Sequence, residues 1–105
     1  MLALLGRSEE AERRFRDAIR LDANSAEGHL LLGTLLHDEG RPQEAEPYLE
    51  KAAALAPGDP RTGTALGANL AALGRKQEAI EALRKAAVPG SAGDRARIEL
   101  RRLTP

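Results

Sequence analysis

The sequence predicts an all-α fold, an array of antiparallel helix pairs about two and a half repeats long and closed by a C-terminal helix. Three observations carry this. Gly6, Gly40 and Gly74 recur at a spacing of 34 residues, and many other columns recur with them. After each glycine, apolar residues follow at intervals of four and three, which lines one face of a helix. Aromatic residues make up only 2% of the 105-residue chain, so the interior must be built from Ala and Leu, which suits close-packed helices better than a sheet.

The columns have separate physical reasons. Each glycine is followed by Arg7, Arg41 or Arg75, then by Glu10, Glu44 or Glu78, then by Ala11, Ala45 or Ala79. Phe15, Leu49 and Leu83 share the next column, and Ala18, Ala52 and Ala86 the one after. Leu32-Gly33 matches Leu66-Gly67, and Leu36 matches Leu70. A glycine in the left-handed region ends a helix without Cβ strain. Small Ala and Gly side chains let neighbouring helices approach closely.

Taken in chain order, the first predicted helix covers about residues 9–22, capped by Ser8, with Met1–Leu5 a remnant before the Gly6 break. The second covers about 25–39, where Asn24 with Glu27 resembles a capping box. The third covers about 42–56, with Pro42 at its first position. Pro47 inside it removes one hydrogen bond, at roughly 3 kcal/mol if nothing compensates, and is expected to bend the helix without breaking it. Pro57-Gly58-Asp59-Pro60 marks a turn that caps the fourth helix, about 60–73. The fifth covers about 76–87 and the sixth about 94–103, with Asp94 as its cap.

These columns resemble the tetratricopeptide repeat, a helix–turn–helix unit of 34 residues. The resemblance is carried by Leu32, Gly33, Leu36, Gly40, Ala45, Leu49, Ala52 and Pro57, and again by Leu66, Gly67, Leu70, Gly74, Ala79, Leu83 and Ala86. It implies a right-handed superhelical array forming one domain over 1–105: a partial repeat at 1–24, repeats at 25–59 and 60–93, and a capping helix at 94–105. The sequence departs from the family pattern at several places. The early aromatic column holds His29 and then Gly63, and Ala23 and Ser91 stand where a closing proline is usual. The first repeat lacks most of its first helix, so Ala11, Phe15 and Ala18 lose part of their packing partner. A longer array, a folded stub at Met1–Leu5, or a second copy forming a homodimer would each cover that face.

In the family, the first helices of successive repeats line a concave groove that holds peptides or helices of partner proteins. Mapped onto this chain, that face comprises Glu27, Leu30, Thr34 and His37, then Arg61, Thr64, Ala68 and Ala71, then Arg95, Ile98 and Arg102. The resemblance therefore implies a protein or peptide partner, with an apolar centre and an acidic end for the arginines, since guanidinium pairs well with carboxylate. Leu30-Leu31-Leu32 cannot all face one way, so Leu30 competes between groove and core. The family's two-carboxylate clamp for heat-shock chaperones is not expected, because its columns hold Leu30, Leu31, Thr34, Thr64 and Ala65, and only Arg61 has the right charge. The alternative role is a structural spacer or self-assembly unit of a larger protein.

Charge and motif content narrow the classes further. Net charge is zero, but residues 25–59 hold two basic and seven acidic residues, a net of −5, and residues 60–105 hold nine basic and four acidic, a net of +5. No global field draws nucleic acid, and the basic closing helix of Arg95, Arg97, Arg101 and Arg102 has no aromatic neighbour to stack bases, so no nucleic-acid partner is expected. There is no Cys and no apolar run long enough to span a membrane. Met1–Leu5 is too short for a signal peptide, which points to the cytoplasm. Arg outnumbers Lys thirteen to three, which suggests a GC-rich bacterial gene. His29 and His37 lie two helical turns apart, too distant for a compact metal site. No nucleophile elbow, phosphate-cradling glycine loop or His-Glu-x-x-His motif is present, so no enzyme, cofactor or metal is expected.

Overall fold

The computed structural model describes residues 2–90 and 93–104, with side chains from Arg7 onward. Ser91, at the closing-proline column, and Met1 lie outside the described residues. Among the described residues six helices follow one another: α1 Leu2–Leu21, α2 Ala26–Asp38, α3 Pro42–Leu55, α4 Pro60–Ala72, α5 Lys76–Ala86 and α6 Asp94–Leu103. Among the described residues there is no strand.

Most boundaries follow the sequence. Gly40 and Gly74 take φ of +75° and +79° and end their helices in the left-handed conformation. Pro42 and Pro60 sit in the first turns of α3 and α4. The Asp59 carboxylate accepts the Arg61 backbone N–H at 2.9 Å. Helix α3 runs unbroken through Pro47, and Gln43, whose carbonyl loses its usual donor there, is exposed to water.

Three expectations at helix starts are corrected. Gly6 does not end a helix and Ser8 does not cap one, because α1 is continuous from Leu2. Glycine within a helix costs only about 0.5–1 kcal/mol, which the rest of this 20-residue helix absorbs. Ser25, not Asn24, caps α2, its hydroxyl accepting the Gly28 N–H at 3.0 Å. The Asn24 N–H instead donates to Asp22 Oδ1 at 3.1 Å. Asp94 is the first residue of α6, not its cap, and pairs with Arg97. The capping position belongs to Gly93, because a Cβ there would lie 2.0 Å from the Val88 carbonyl oxygen.

Packing is ordered by the repeat. Helix α2 pairs with α3 and α4 with α5; α3 meets α4 between repeats, α1 packs on α2, and α6 closes α5 and α4. Leu32, Leu36, Ala45, Leu49 and Ala52 are fully buried, with Phe15, Ile19, Tyr48, Ala65 and Leu66 packed against them. The Leu-Gly columns mark the closest approaches. A Cβ on Gly33 would lie 2.5 Å from Leu49 Cδ2, and one on Gly67 would lie 2.5 Å from Leu83 Cγ. Leu83, Ala86 and Ala96 form a second cluster where α6 covers α5. Arg97 donates to the carbonyls of Val88 and Gly90 at 2.6 Å each and holds them against α6. On α1 the same columns stay open: Ala11 and Phe15 are half-buried and Ala18 is exposed.

Two polar devices join successive repeats. Arg41 reaches back 29 residues to Glu12 at 3.0 Å and also pairs with Glu44. One repeat later, Arg75 reaches back 29 residues to Glu46 and pairs with Glu78. The second device is internal. Asn69, fully buried, accepts from His37 Nδ1 at 2.9 Å and donates through Nδ2 to the Pro42 carbonyl at 2.9 Å.

Candidate protein-binding cleft

Because α2, α4 and α6 are first helices of their units, their side chains at 3.6-residue spacing converge on one surface. A cleft of about 440 Å³ lies there. Eight residues expected from the sequence line it: Glu27, Leu30, Thr34, His37, Arg61, Thr64, Ala68 and Arg95. Ala71, Ile98 and Arg102 do not. Ala71 is half-buried further along α4, whereas Ile98 and Arg102 lie exposed on α6. Arg95 and Glu99, one turn apart on α6, line the cleft together.

Leu30 divides as the sequence implied, 7% exposed within the core while its edge reaches the cleft floor. Leu31, Asp38, Ala65, Glu99 and Leu49 also line the cleft and were not among the expected groove residues. Leu31 is 39% exposed, an apolar side chain offered to solvent at the cleft wall. A helical wheel drawn from Thr34 and His37 would have reached Leu31 and Asp38, which lie at i−3 and i+4 from Thr34.

The electrostatics are more mixed than the sequence implied. Arg61 Nη2 lies 2.9 Å from Glu27 Oε2 and 2.8 Å from Asp59 Oδ2, so its charge is already met. The Arg61 guanidinium, with its backbone N–H, holds the Asp59 carboxyl below the usual carboxylate range. Arg102 pairs with Glu99 at 3.4 Å. Arg95 has no ion-pair partner among the described residues. The cleft thus presents Leu30, Leu31, Ala65 and Ala68 between a closed Glu27–Arg61 pair and an open Arg95. Thr34 and Thr64 supply hydroxyls at its centre, although the Thr64 hydroxyl donates to the Pro60 carbonyl at 2.7 Å. Among the described residues no cluster of His, Cys, Asp or Glu could hold a metal, and no helix is long and apolar enough to cross a membrane.

Two sequence models of the tetratricopeptide repeat match the chain, one over residues 5–60 and one over 36–98. The chain belongs to the tetratricopeptide repeat family. No curated protein matches its sequence. Several solved structures are similar to this tetratricopeptide array. The Yersinia enterocolitica type III secretion chaperone SycD, in complex with a peptide of the translocator YopD, aligns with a TM-score of 0.83 at 20% identity, over 96% of this chain and 82% of that one. PcrH, in complex with the chaperone-binding region of PopD, aligns with a TM-score of 0.83 at 22% identity, over 97% and 82%. MamA from Desulfovibrio magneticus RS-1 aligns with a TM-score of 0.80 at 26% identity, over 97% of this chain and 58% of that one. These likenesses are to the fold: paired helices in a tetratricopeptide array.

Proposed function

We propose that the chain is a non-catalytic adaptor or scaffold domain, acting as one unit over 1–105 in a bacterial cytoplasm and holding an extended or helical segment of a partner protein in the α2–α4–α6 cleft. The observation that carries this is the cleft itself. It is concave, about 440 Å³, apolar at its centre and bordered by a few fixed polar groups, which is the pattern of a recognition site. Two similar solved structures hold peptides of other proteins, which supports the class of ligand. In this reading the partner lays apolar side chains on Leu30, Leu31, Ala65 and Ala68, and places a carboxylate at Arg95.

Selection of peptides from a displayed random library on the wild-type domain tests it. Selected peptides are expected to be apolar with an acidic residue at one side, and to lose tenfold or more in affinity to Ala68→Trp and to Arg95→Glu. Peptides that bind both variants as well as the wild type would place binding elsewhere.

A second reading, self-assembly through the α1 face, is favoured by one observation: Ala11, Phe15 and Ala18 are open where Ala45, Leu49 and Ala52 are fully buried. Sedimentation over a wide concentration range tests it. Dimers that Ala11→Arg abolishes support it, and a monomer at every concentration removes it.

A further inference from the structure

A second cleft, of about 460 Å³, lies between α3, the 57–60 turn, α4 and α5, and shares no lining residue with the first. Four of its lining residues are Glu50, Pro57, Gly63 and Ala82. The repeat gives each a counterpart 34 residues earlier: Arg16, Ala23, His29 and Tyr48. In the earlier repeat those four form one filled constellation. The His29 ring stacks on Tyr48, with centres 6.1 Å apart and planes at 29°. The Arg16 guanidinium lies 5.6 Å from the centre of the Tyr48 ring and donates to its hydroxyl at 2.8 Å. His29 Nε2 donates to the Ala23 carbonyl at 3.0 Å. In the later repeat both rings are gone and the cation is replaced by a carboxylate. With no side chain at Gly63, α4 and α5 draw together, so that a Cβ there would lie 2.9 Å from Ala86 Cβ. The open space therefore lies in front of the helix pair, over Gly63 and Ala82.

We propose that this second cleft binds a segment of a partner protein bearing an aromatic side chain flanked by arginine or lysine. The ring packs in front of the helix pair over Gly63 and Ala82, the counterparts of His29 and Tyr48, and the cation meets Glu50. The molecule thus shows, in its own earlier repeat, the interaction that the later one lacks. Charge agrees. Glu50 and Glu81 are exposed at the rim and have no ion-pair partner among the described residues, whereas Asp59 and Glu78 are already held by Arg61 and Arg75. Lys85 is the one cationic side chain in the lining among the described residues. Partial desolvation and the adjacent Glu46 push the Glu50 carboxyl up even at the rim, so a cation beside it would relieve an existing cost. Aromatic–cation recognition is favourable in such a setting, and an acidic rim turns polyanions away. The proposal does not depend on what the first cleft binds.

Nuclear magnetic resonance titration of the full chain with three end-blocked peptides, Arg-Tyr-Arg, Glu-Tyr-Glu and Arg-Ala-Arg, tests it. Arg-Tyr-Arg is expected to shift the Glu50, Gly63 and Ala82 amides saturably and to bind at least tenfold more tightly than the other two. Ala82→Tyr, which fills the space from within, should abolish those shifts. Glu50→Lys, an exposed change that leaves folding intact, should weaken binding tenfold or more even where Ala82→Tyr fails to fold. Absence of saturable shifts at these amides, equal binding of Glu-Tyr-Glu, or undiminished binding to Glu50→Lys overturns the proposal.

Discussion

Replacing Asn69 with Ala removes the buried amide that ties α2, α4 and the start of α3 together. Asn69 is fully buried, and its side chain makes hydrogen bonds of 2.9 Å to His37 and 2.9 Å to the Pro42 carbonyl. Each bond contributes about 1 kcal/mol net, and stranding the partly buried Pro42 carbonyl adds about 1 kcal/mol more. The expected loss is about 2–3 kcal/mol. For a domain of this size each kcal/mol shifts Tm by about 4–8 °C, so the midpoint should fall by about 10–20 °C. Urea unfolding followed by circular dichroism measures it, with an unchanged slope required for the comparison to hold. Asn69→Asp sharpens the test. It keeps an acceptor for His37 but sets a carboxylate oxygen against the Pro42 carbonyl, so at neutral pH it should cost at least as much as Ala. A loss below about 1 kcal/mol for Ala, or an Asp variant as stable as wild type, would refute the inter-repeat role of this amide.

Gly67→Ala places a Cβ 2.5 Å from Leu83 Cγ and 3.2 Å from the Ala79 carbonyl oxygen. Overpacking of about 1–3 kcal/mol should outweigh the roughly 1 kcal/mol gained in helix propensity, so thermal melts should show a lower Tm; a higher one would mean that α4 and α5 separate freely. Glu12 and Glu50 should respond to pH in opposite senses. Arg16, with Arg41, holds the Glu12 carboxyl below its ordinary range, so its contribution is present at neutral pH and disappears as pH falls through the lowered folded value. Glu12→Gln should therefore cost stability at pH 7 and nothing at pH 2. Partial desolvation, with Glu46 beside it, raises the Glu50 carboxyl, so its folded-state advantage exists only in acid and is lost as pH rises through the raised folded value. Glu50→Gln should raise Tm slightly at pH 7 and leave it unchanged in strong acid; stability curves that move the same way in both variants would contradict these assignments.

The repeat was legible because each of its columns answers one physical demand. Gly40 and Gly74 need a left-handed backbone, Gly33 and Gly67 need room for Leu49 and Leu83, and Ala45 and Ala79 need full burial. Gly6 was misread because the same residue type fits two conformations, and its column is obligatory only where a helix has to turn. Asp94 was misread because the decisive neighbour, the Val88 carbonyl beside Gly93, comes from a preceding loop and leaves no periodic trace. Most of the cleft followed from helical phase. Its electrostatics did not, since the Arg61–Glu27 pair joins two residues 34 apart that the sequence placed in the groove as independent charges. The second cleft was half visible: Gly63 stood out as a missing aromatic, but Ala82 and Glu50 gain meaning only beside the stacked His29, Tyr48 and Arg16.

The arginine joint between repeats also has a direction. Arg41 and Arg75 each need a carboxylate 29 residues earlier, supplied by Glu12 and Glu46. The residue that would serve the next joint in the series is Ile80, buried at 7% exposure, with α6 lying over α5 beyond it. In a stack that repeated this joint between copies, exposed Arg7 of one copy would meet Ile80 of the next in place of a carboxylate. Head-to-tail stacking of two copies would therefore gain nothing from this joint. An isologous contact, pairing the α1 face with itself about a two-fold axis, needs no such joint and stops growth at the dimer.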